Sequence, residues 1–121
     1  MLREIVPTSQ HPGEPRRRWF YSADFDLYVW QDEAGDILAF QLCYDKGRGE
    51  HAFYWKRNKG FSHLRVQDGE DSGLSSETPI LVADGLFDAA PVLAAFIAEA
   101  DELPSAIRNF VTKYISGYPG A

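Results

Sequence analysis

Alternating apolar and polar residues between positions 19 and 67, broken by short turns, restrict the first half of this chain to an antiparallel sheet. The run FDLYVW ends at DEAGD, ILAFQLCYDK ends at KGRG, and EHAFYWKR ends at NKG before FSHLRVQ. A period of two is the repeat of a β-strand, and glycine adopts the positive φ angles that tight turns need. Residues 16–67 are therefore predicted to form four strands in meander order, the first of them running from Trp19 to Trp30.

The last third of the chain changes to a helical period. ILVA at 80–83 predicts a short fifth strand, and Asp88 is a suitable N-cap for the helix that follows. Pro104 marks the start of a second helix, and Gly117 marks its end. The apolar residues of this second helix recur at helical spacing: Ile107, Phe110, Val111, Tyr114 and Ile115. Strands followed by helices predict an α+β fold, a four- to five-stranded antiparallel meander sheet with two C-terminal helices packed on one face.

The length of 121 residues suits a single domain, within which the segments differ in composition. Residues 1–15 contain three prolines and are predicted to form an N-terminal arm, with at most a short strand at 2–6. The β-meander occupies 16–67. Residues 68–79 carry four acidic side chains and almost nothing to bury, which predicts an exposed acidic loop. Residues 80–117 hold the short strand and the helix pair.

Charge and cysteine content limit the class of protein. Twelve basic and eighteen acidic residues give a net charge of −6, which disfavours binding to nucleic acid, and RRR at 16–18 is too small to reverse this. The weakly polar run near residues 89–98 is too short to span a bilayer, and the N-terminus has no apolar segment behind its charges. The single cysteine, Cys43, cannot form an internal disulfide. We therefore expect a cytoplasmic protein with no nucleic-acid or membrane partner.

The lengths of the turns predict which side chains share a face of the sheet. Three-residue EAG and NKG loops and a GR or KGRG turn would form these cross-strand pairs: Tyr28 with Phe40, Tyr44 with His51, and Trp55 with His63. One face then carries six rings with polar residues at its edges: Tyr28, Trp30, Phe40, Tyr44, Phe53 and Trp55, with Asp24, Asp26, His51, His63 and Arg65. The other face is more aliphatic: Phe25, Leu27, Val29, Ile37, Ala39, Cys43, Ala52, Tyr54, Leu64 and Val66. We expect the two helices to pack on the aliphatic face.

The aromatic face is larger than the apolar patches that soluble monomers expose, so something is expected to cover it. Three covers remain open: the N-terminal arm, a second copy of the chain, and a small ligand or peptide bound in a groove. We take the eleven aromatic and polar residues of this face as the candidate ligand or partner surface.

The sequence contains no strong catalytic or metal-binding motif. Cys43 and His51 would point to opposite faces, which disfavours a thiolate–imidazole pair. His51 and His63 would lie about 13 Å apart along the strand, too far for one metal ion. Asp24 and Asp26 would share a face and could act as general acid/base groups. No cofactor is expected.

The segments RRWFYSADFDLYVWQDEAGDILAFQLCYDKGRGEHAFYW, GFSHLRV and LPSAIRNFV resemble a group of small uncharacterised bacterial proteins that share the pattern WF…DFDLYVW…FQLCYDK…EHA. The resemblance covers most of residues 16–115, and FQLCYDK is its most specific part. It implies a bacterial origin and a single small α+β domain. It carries no assigned activity and no catalytic residue.

The main hypothesis from the sequence is a small non-enzymatic binding protein that uses the aromatic face of its sheet. The alternative is a hydrolase- or isomerase-like enzyme that acts on a small polar substrate. Its acid/base groups would be Asp24, Asp26, His51 and His63. Convergence of His51 and the aspartates in one cleft would favour the enzyme.

Overall fold

The computed structural model describes residues 1–5, 13–47, 49–67, 80–83 and 88–118. In these ranges the chain forms seven strands and then two helices: β1 (Arg3–Ile5), β2 (Arg16–Tyr21), β3 (Asp26–Gln31), β4 (Ile37–Tyr44), β5 (His51–Lys56), β6 (Gly60–Gln67), β7 (Ile80–Ala83), α1 (Ala89–Glu99) and α2 (Ser105–Ser116). The predicted α+β class is confirmed, but the sheet has seven strands instead of four to five. The predicted acidic loop at 68–79 and positions 6–12 of the predicted arm lie outside the described residues.

The strands form one antiparallel sheet in the order β1-β2-β3-β4-β5-β6-β7. Each strand therefore pairs with its neighbour in the chain, which is the predicted meander. The predicted strand at 80–83 is β7, and it pairs with β6. In the described part of the chain, no helix is long and apolar enough to cross a membrane.

A hairpin replaces the single strand that was predicted from Trp19 to Trp30. β2 and β3 are joined by a turn in which the N–H of Ser22 donates to the carbonyl of Phe25 at 2.9 Å. The Ser22 hydroxyl accepts from the N–H groups of Asp24 at 3.2 Å and Phe25 at 3.0 Å. A serine oxygen that accepts from nearby N–H groups is a known turn signal. The alternation of apolar and polar residues continues on both sides of this turn, so it does not show where β2 ends.

The beginning of the predicted arm belongs to the sheet, since β1 pairs with residues 19–21 of β2. The N–H of Leu2 donates to the carbonyl of Glu99 at the end of α1. The guanidinium of Arg18 makes two hydrogen bonds to the Glu4 carboxylate, at 2.7 and 2.8 Å. This pair lowers the pKa of Glu4, mainly through the hydrogen bond.

A β-bulge in the β3–β4 hairpin changes the faces on which side chains lie. The backbone N–H of Asp32 donates to the carbonyl of Asp36 at 2.9 Å, as expected for the predicted loop, and Gln31 pairs with Ile37. The next pair is Trp30 with Ala39, so the residue between, Leu38, is extra. Beyond the bulge, the predicted pairing is therefore wrong by one residue, and a slip of one residue moves every side chain of β3 to the other face relative to β4.

Because of this slip, Tyr28 faces Gln41 and Val29 faces Phe40. Leu27 and Val29 join the aromatic side chains of β4 and β5 in the hydrophobic core. Tyr28 and Trp30 therefore lie on the opposite face. We call this opposite face the outer face; its members include Trp19, Tyr28, Trp30, Cys43 and Tyr54.

The helices cover the face of the sheet that holds Phe40, Phe53 and Trp55, and not the more aliphatic face that we predicted. Phe40 lies 6.3 Å from Phe110 of α2 between ring centroids, and Trp55 lies 5.1 Å from the same ring. The buried residues of α2 are Ile107, Val111 and Ile115, as its periodicity predicts. Burial of aromatic rings removes a large apolar area from water. Packing of the helices on this face therefore stabilises the fold more than packing on the other face would.

Candidate functional site

The structure divides the eleven predicted surface residues among different environments. Three of them are buried in the core beneath the helices and cannot contact a ligand: Phe40, Phe53 and Trp55. Three lie on the outer face: Asp26, Tyr28 and Trp30. Four line one cleft beside α1: Asp24, Tyr44, His51 and His63. Arg65 is exposed and pairs with His51 across β5 and β6.

Tyr44, His51 and His63 form a cluster of three nearly parallel rings in which each ring neighbours the other two, and we call this cluster the ring stack. Tyr44 is the last residue of β4 and pairs with His51, as predicted. The centroid separations are 5.4 Å for Tyr44 and His51, 5.6 Å for the two histidines, and 6.0 Å for Tyr44 and His63. The interplanar angles are 24° or less. The Tyr44 hydroxyl and Nε2 of His63 are hydrogen-bonded.

The contact between the two histidines corrects the prediction that they lie far apart. The loop between β5 and β6 consists of residues 57–59, so Phe53 and not Trp55 pairs with His63. Asn58 adopts a φ of 68° in this loop, and the backbone N–H of Lys59 donates to the carbonyl of Lys56. The shift of two residues keeps His63 on the predicted face but moves it beside His51.

The ring stack forms one wall of a cleft of about 530 Å³. The lining residues outside the ring stack come from the β2–β3 turn, the segment after β4, and α1: Asp24, Phe25, Asp45, Lys46, Asp88, Pro91, Val92, Ala95 and Glu99. Val92, Ala95 and Glu99 recur at i, i+3 and i+7, which places them on one side of α1. This side of α1 therefore forms the second wall.

Lys46 is held by groups beside the cleft. Its ammonium lies 3.3 Å from the Asp26 carboxylate, donates to the carbonyl of Ser22 at 3.0 Å, and lies 4.0 Å from the centroid of the Tyr21 ring. Asp26 also accepts a hydrogen bond from the indole N–H of Trp19 at 3.0 Å. Asp24 and Asp26 therefore separate, one to the cleft and one to the outer face, and they do not form the predicted carboxylate pair.

The aromatic rings of the outer face pack against one another, both across strands and along β3. Centroid separations are 5.8 Å for Trp19 and Tyr28, 6.3 Å for Tyr28 and Trp30, and 6.4 Å for Trp30 and Tyr54. Burial, with the nearby charge of Asp26, raises the pKa of Tyr28 to about 12. Cross-strand aromatic pairs stabilise a sheet, so these rings have a structural role without any ligand.

Cys43 lies on the outer face and pairs with Ala52, so it and His51 point to opposite sides, as predicted. Its side chain is 4% exposed, and Nε2 of Gln41 donates to its sulfur at 3.3 Å. Burial raises the pKa of the thiol to about 12. The thiolate is the nucleophilic form of cysteine, so we expect this buried thiol to react slowly at neutral pH.

Metal binding finds no support in the described ranges, where no group of three or more histidine, cysteine, aspartate or glutamate side chains is arranged to hold an ion. The rings of the two histidines lie nearly parallel, with centroids 5.6 Å apart. A metal requires ligand nitrogens that converge on one point.

The cleft is completed by residues that the sequence does not mark as functional. Asp45 and Lys46 follow β4, Asp88 is predicted only as an N-cap, and Glu99 ends α1. No local pattern shows that α1 lies beside the end of β4, so no sequence signal could have found them. Comparison of the chain with protein-family models, with curated proteins and with solved structures finds no match in any of the three.

Proposed function

We propose that this protein is a binding protein that holds a small organic ligand in the cleft between α1 and the ring stack. The observation that carries the proposal is the convergence of four predicted surface residues, Asp24, Tyr44, His51 and His63, on one cavity. These residues come from three strands and one turn, and only the fold brings them together.

The size and lining of the cleft support a small ligand in preference to a peptide or a second copy of the chain. Its volume of about 530 Å³ falls within the range of about 300–1,000 Å³ that is typical of small-molecule sites. The lining combines apolar surface from Phe25 and Val92 with a few convergent polar groups, which is the usual composition of such sites.

A fragment library followed by ¹⁵N and ¹³C chemical-shift mapping tests this proposal. We expect bound fragments to shift the signals of Tyr44, His51 and His63. His51→Ala should weaken binding by about fivefold, because one aromatic contact is worth roughly 1 kcal/mol. Tyr54→Ala is a matched control, since it removes a half-buried ring from the opposite side of the same strand. Two results would contradict the proposal: fragments that shift only the signals of outer-face residues, or fragments whose affinities for His51→Ala and Tyr54→Ala are equal.

The contact between Tyr44 and His63 favours a second candidate function, general acid–base catalysis on a small polar substrate. A phenol hydrogen-bonded to an imidazole places a proton donor and a proton acceptor side by side, and Asp24 lines the same cleft. These groups suit the hydrolase- or isomerase-like alternative.

Incubation of each bound fragment with the protein, followed by mass spectrometry, separates the two functions. Binding alone returns the fragment unchanged. Catalysis would convert it, and His63→Gln should then lower the rate by about 10²–10⁴-fold with binding retained. Conversion at an unchanged rate in His63→Gln would exclude His63 as the acid/base group.

A further inference from the structure

We infer that the cleft binds an organic cation, specifically a primary amine attached to a short apolar body. The inference rests on the proposed function, and it names the class of ligand for that same site. The cavity and the ring stack define the site, and the charged residues around the cavity define the sign of the ligand's charge.

The carboxylates around the cleft come from separate parts of the fold. Asp24 belongs to the β2–β3 turn, Asp45 follows β4, and Asp88 precedes α1. Within the described part of the chain, none of these three forms an ion pair with a basic side chain. Glu99 also lines the cleft, but it lies 3.7 Å from the amino group of Met1, so the three aspartates carry the argument.

The only lysine or arginine that lines the cleft in the described ranges is Lys46, and its charge is balanced from outside the lining. Its ammonium lies 3.3 Å from Asp26, which is not a lining residue. Three aspartates therefore face one balanced lysine and two histidines, and the potential in the cleft is negative when the histidines are neutral. A ligand carboxylate or phosphate would be repelled, and an ammonium group would be attracted.

The apolar lining provides contacts for the body of the ligand. Phe25, Pro91, Val92 and Ala95 offer apolar surface next to the carboxylates. The ring of Tyr44 lines the same cleft, and aromatic rings attract ammonium groups through their quadrupole. A short apolar chain or ring that ends in an amine matches both the polar and the apolar parts of the lining.

Three compounds with the same body and different head groups test the inference: 2-phenylethylamine, 2-phenylethanol and 3-phenylpropionate. We expect the amine to bind tightest and the carboxylate weakest, with shifts at the ring stack measured by NMR titration. Asp24→Asn and Asp88→Asn should each weaken amine binding by about two- to fivefold, the effect of one partly exposed ion pair. Both should leave the affinity for the alcohol unchanged, and added salt should weaken only amine binding.

Asp36→Asn is the matched control. It removes an exposed carboxylate at the opposite end of β4 and should leave all three affinities unchanged. Equal affinities for amine and alcohol at the ring stack would overturn the charge inference but leave the proposed function standing. Tighter binding of the carboxylate would do the same. Absence of any shift with millimolar amine would also overturn the inference, and the fragment library would then decide the proposed function by itself.

Discussion

At alkaline pH, the stability of the native state should depend on whether the thiol of Cys43 is protonated. Burial raises the pKa of this thiol from 9.0 to about 12. Above about pH 9 the unfolded chain therefore loses a proton that the native state keeps. The unfolded state then binds fewer protons than the native state, so the free energy of unfolding falls as the pH rises.

The size of the pH effect follows from the difference between the folded and unfolded pKa values of Cys43. The free energy of unfolding falls by at most about 1.4 kcal/mol per pH unit, and this slope is approached about one pH unit above the unfolded pKa. Between about pH 9 and pH 11, Cys43 should therefore cost the protein roughly 2 kcal/mol of stability. Cys43→Ala removes the thiol, and at pH 7 it should cost about 1 kcal/mol through lost packing.

Denaturant titrations of the native protein and of Cys43→Ala, followed by tryptophan fluorescence at several pH values, measure this difference. We expect the native protein to be the more stable at pH 7 and the variant to be the more stable near pH 11. The raised pKa values of Tyr28 and Tyr54 also lower stability at high pH, but both tyrosines are present in the two proteins. Parallel stability profiles, or rapid reaction of the native thiol with a disulfide reagent at pH 8, would refute the reasoning.

Two further predictions concern the core and a turn. Phe53→Ala should lower the free energy of unfolding by about 3–5 kcal/mol because it opens a cavity in the core, whereas Tyr21→Ala, at a ring that is 47% exposed, should cost much less. Similar losses in denaturant titrations would show that the core is assigned to the wrong face. Asn58→Gly should leave stability within a few tenths of a kcal/mol and Asn58→Val should cost about 1–2 kcal/mol, because φ at this position is 68°; equal stability of the two variants would contradict the assigned turn conformation.

The candidate site was predicted in part. The pairing of Tyr44 with His51 followed from the KGRG turn, and the structure has that pairing. The eleven residues of the predicted surface do not form one surface, since Phe40, Phe53 and Trp55 lie in the core. The proximity of His63 to His51 depends on a loop at 57–59 instead of 58–60, and both loops fit the same sequence of turn-forming residues.

The sequence by itself determined the α+β class, the meander order of the strands and the alternation of side chains between the two faces within each strand. A period of two requires that neighbouring residues lie on opposite faces, so Cys43 and His51 separate once the turn between them is known. Helical spacing likewise identified Ile107, Val111 and Ile115 as the buried side of α2.

Only the tertiary structure decided which face became the core and which residues became the cleft. The extra residue Leu38 changes the face of β3 relative to β4, yet a bulge depends on the backbone angles of one or two residues and leaves no periodic signal. The position of α1 depends on packing between distant parts of the chain. For that reason Asp24, Asp45 and Asp88 meet around one cavity, although no local pattern connects them.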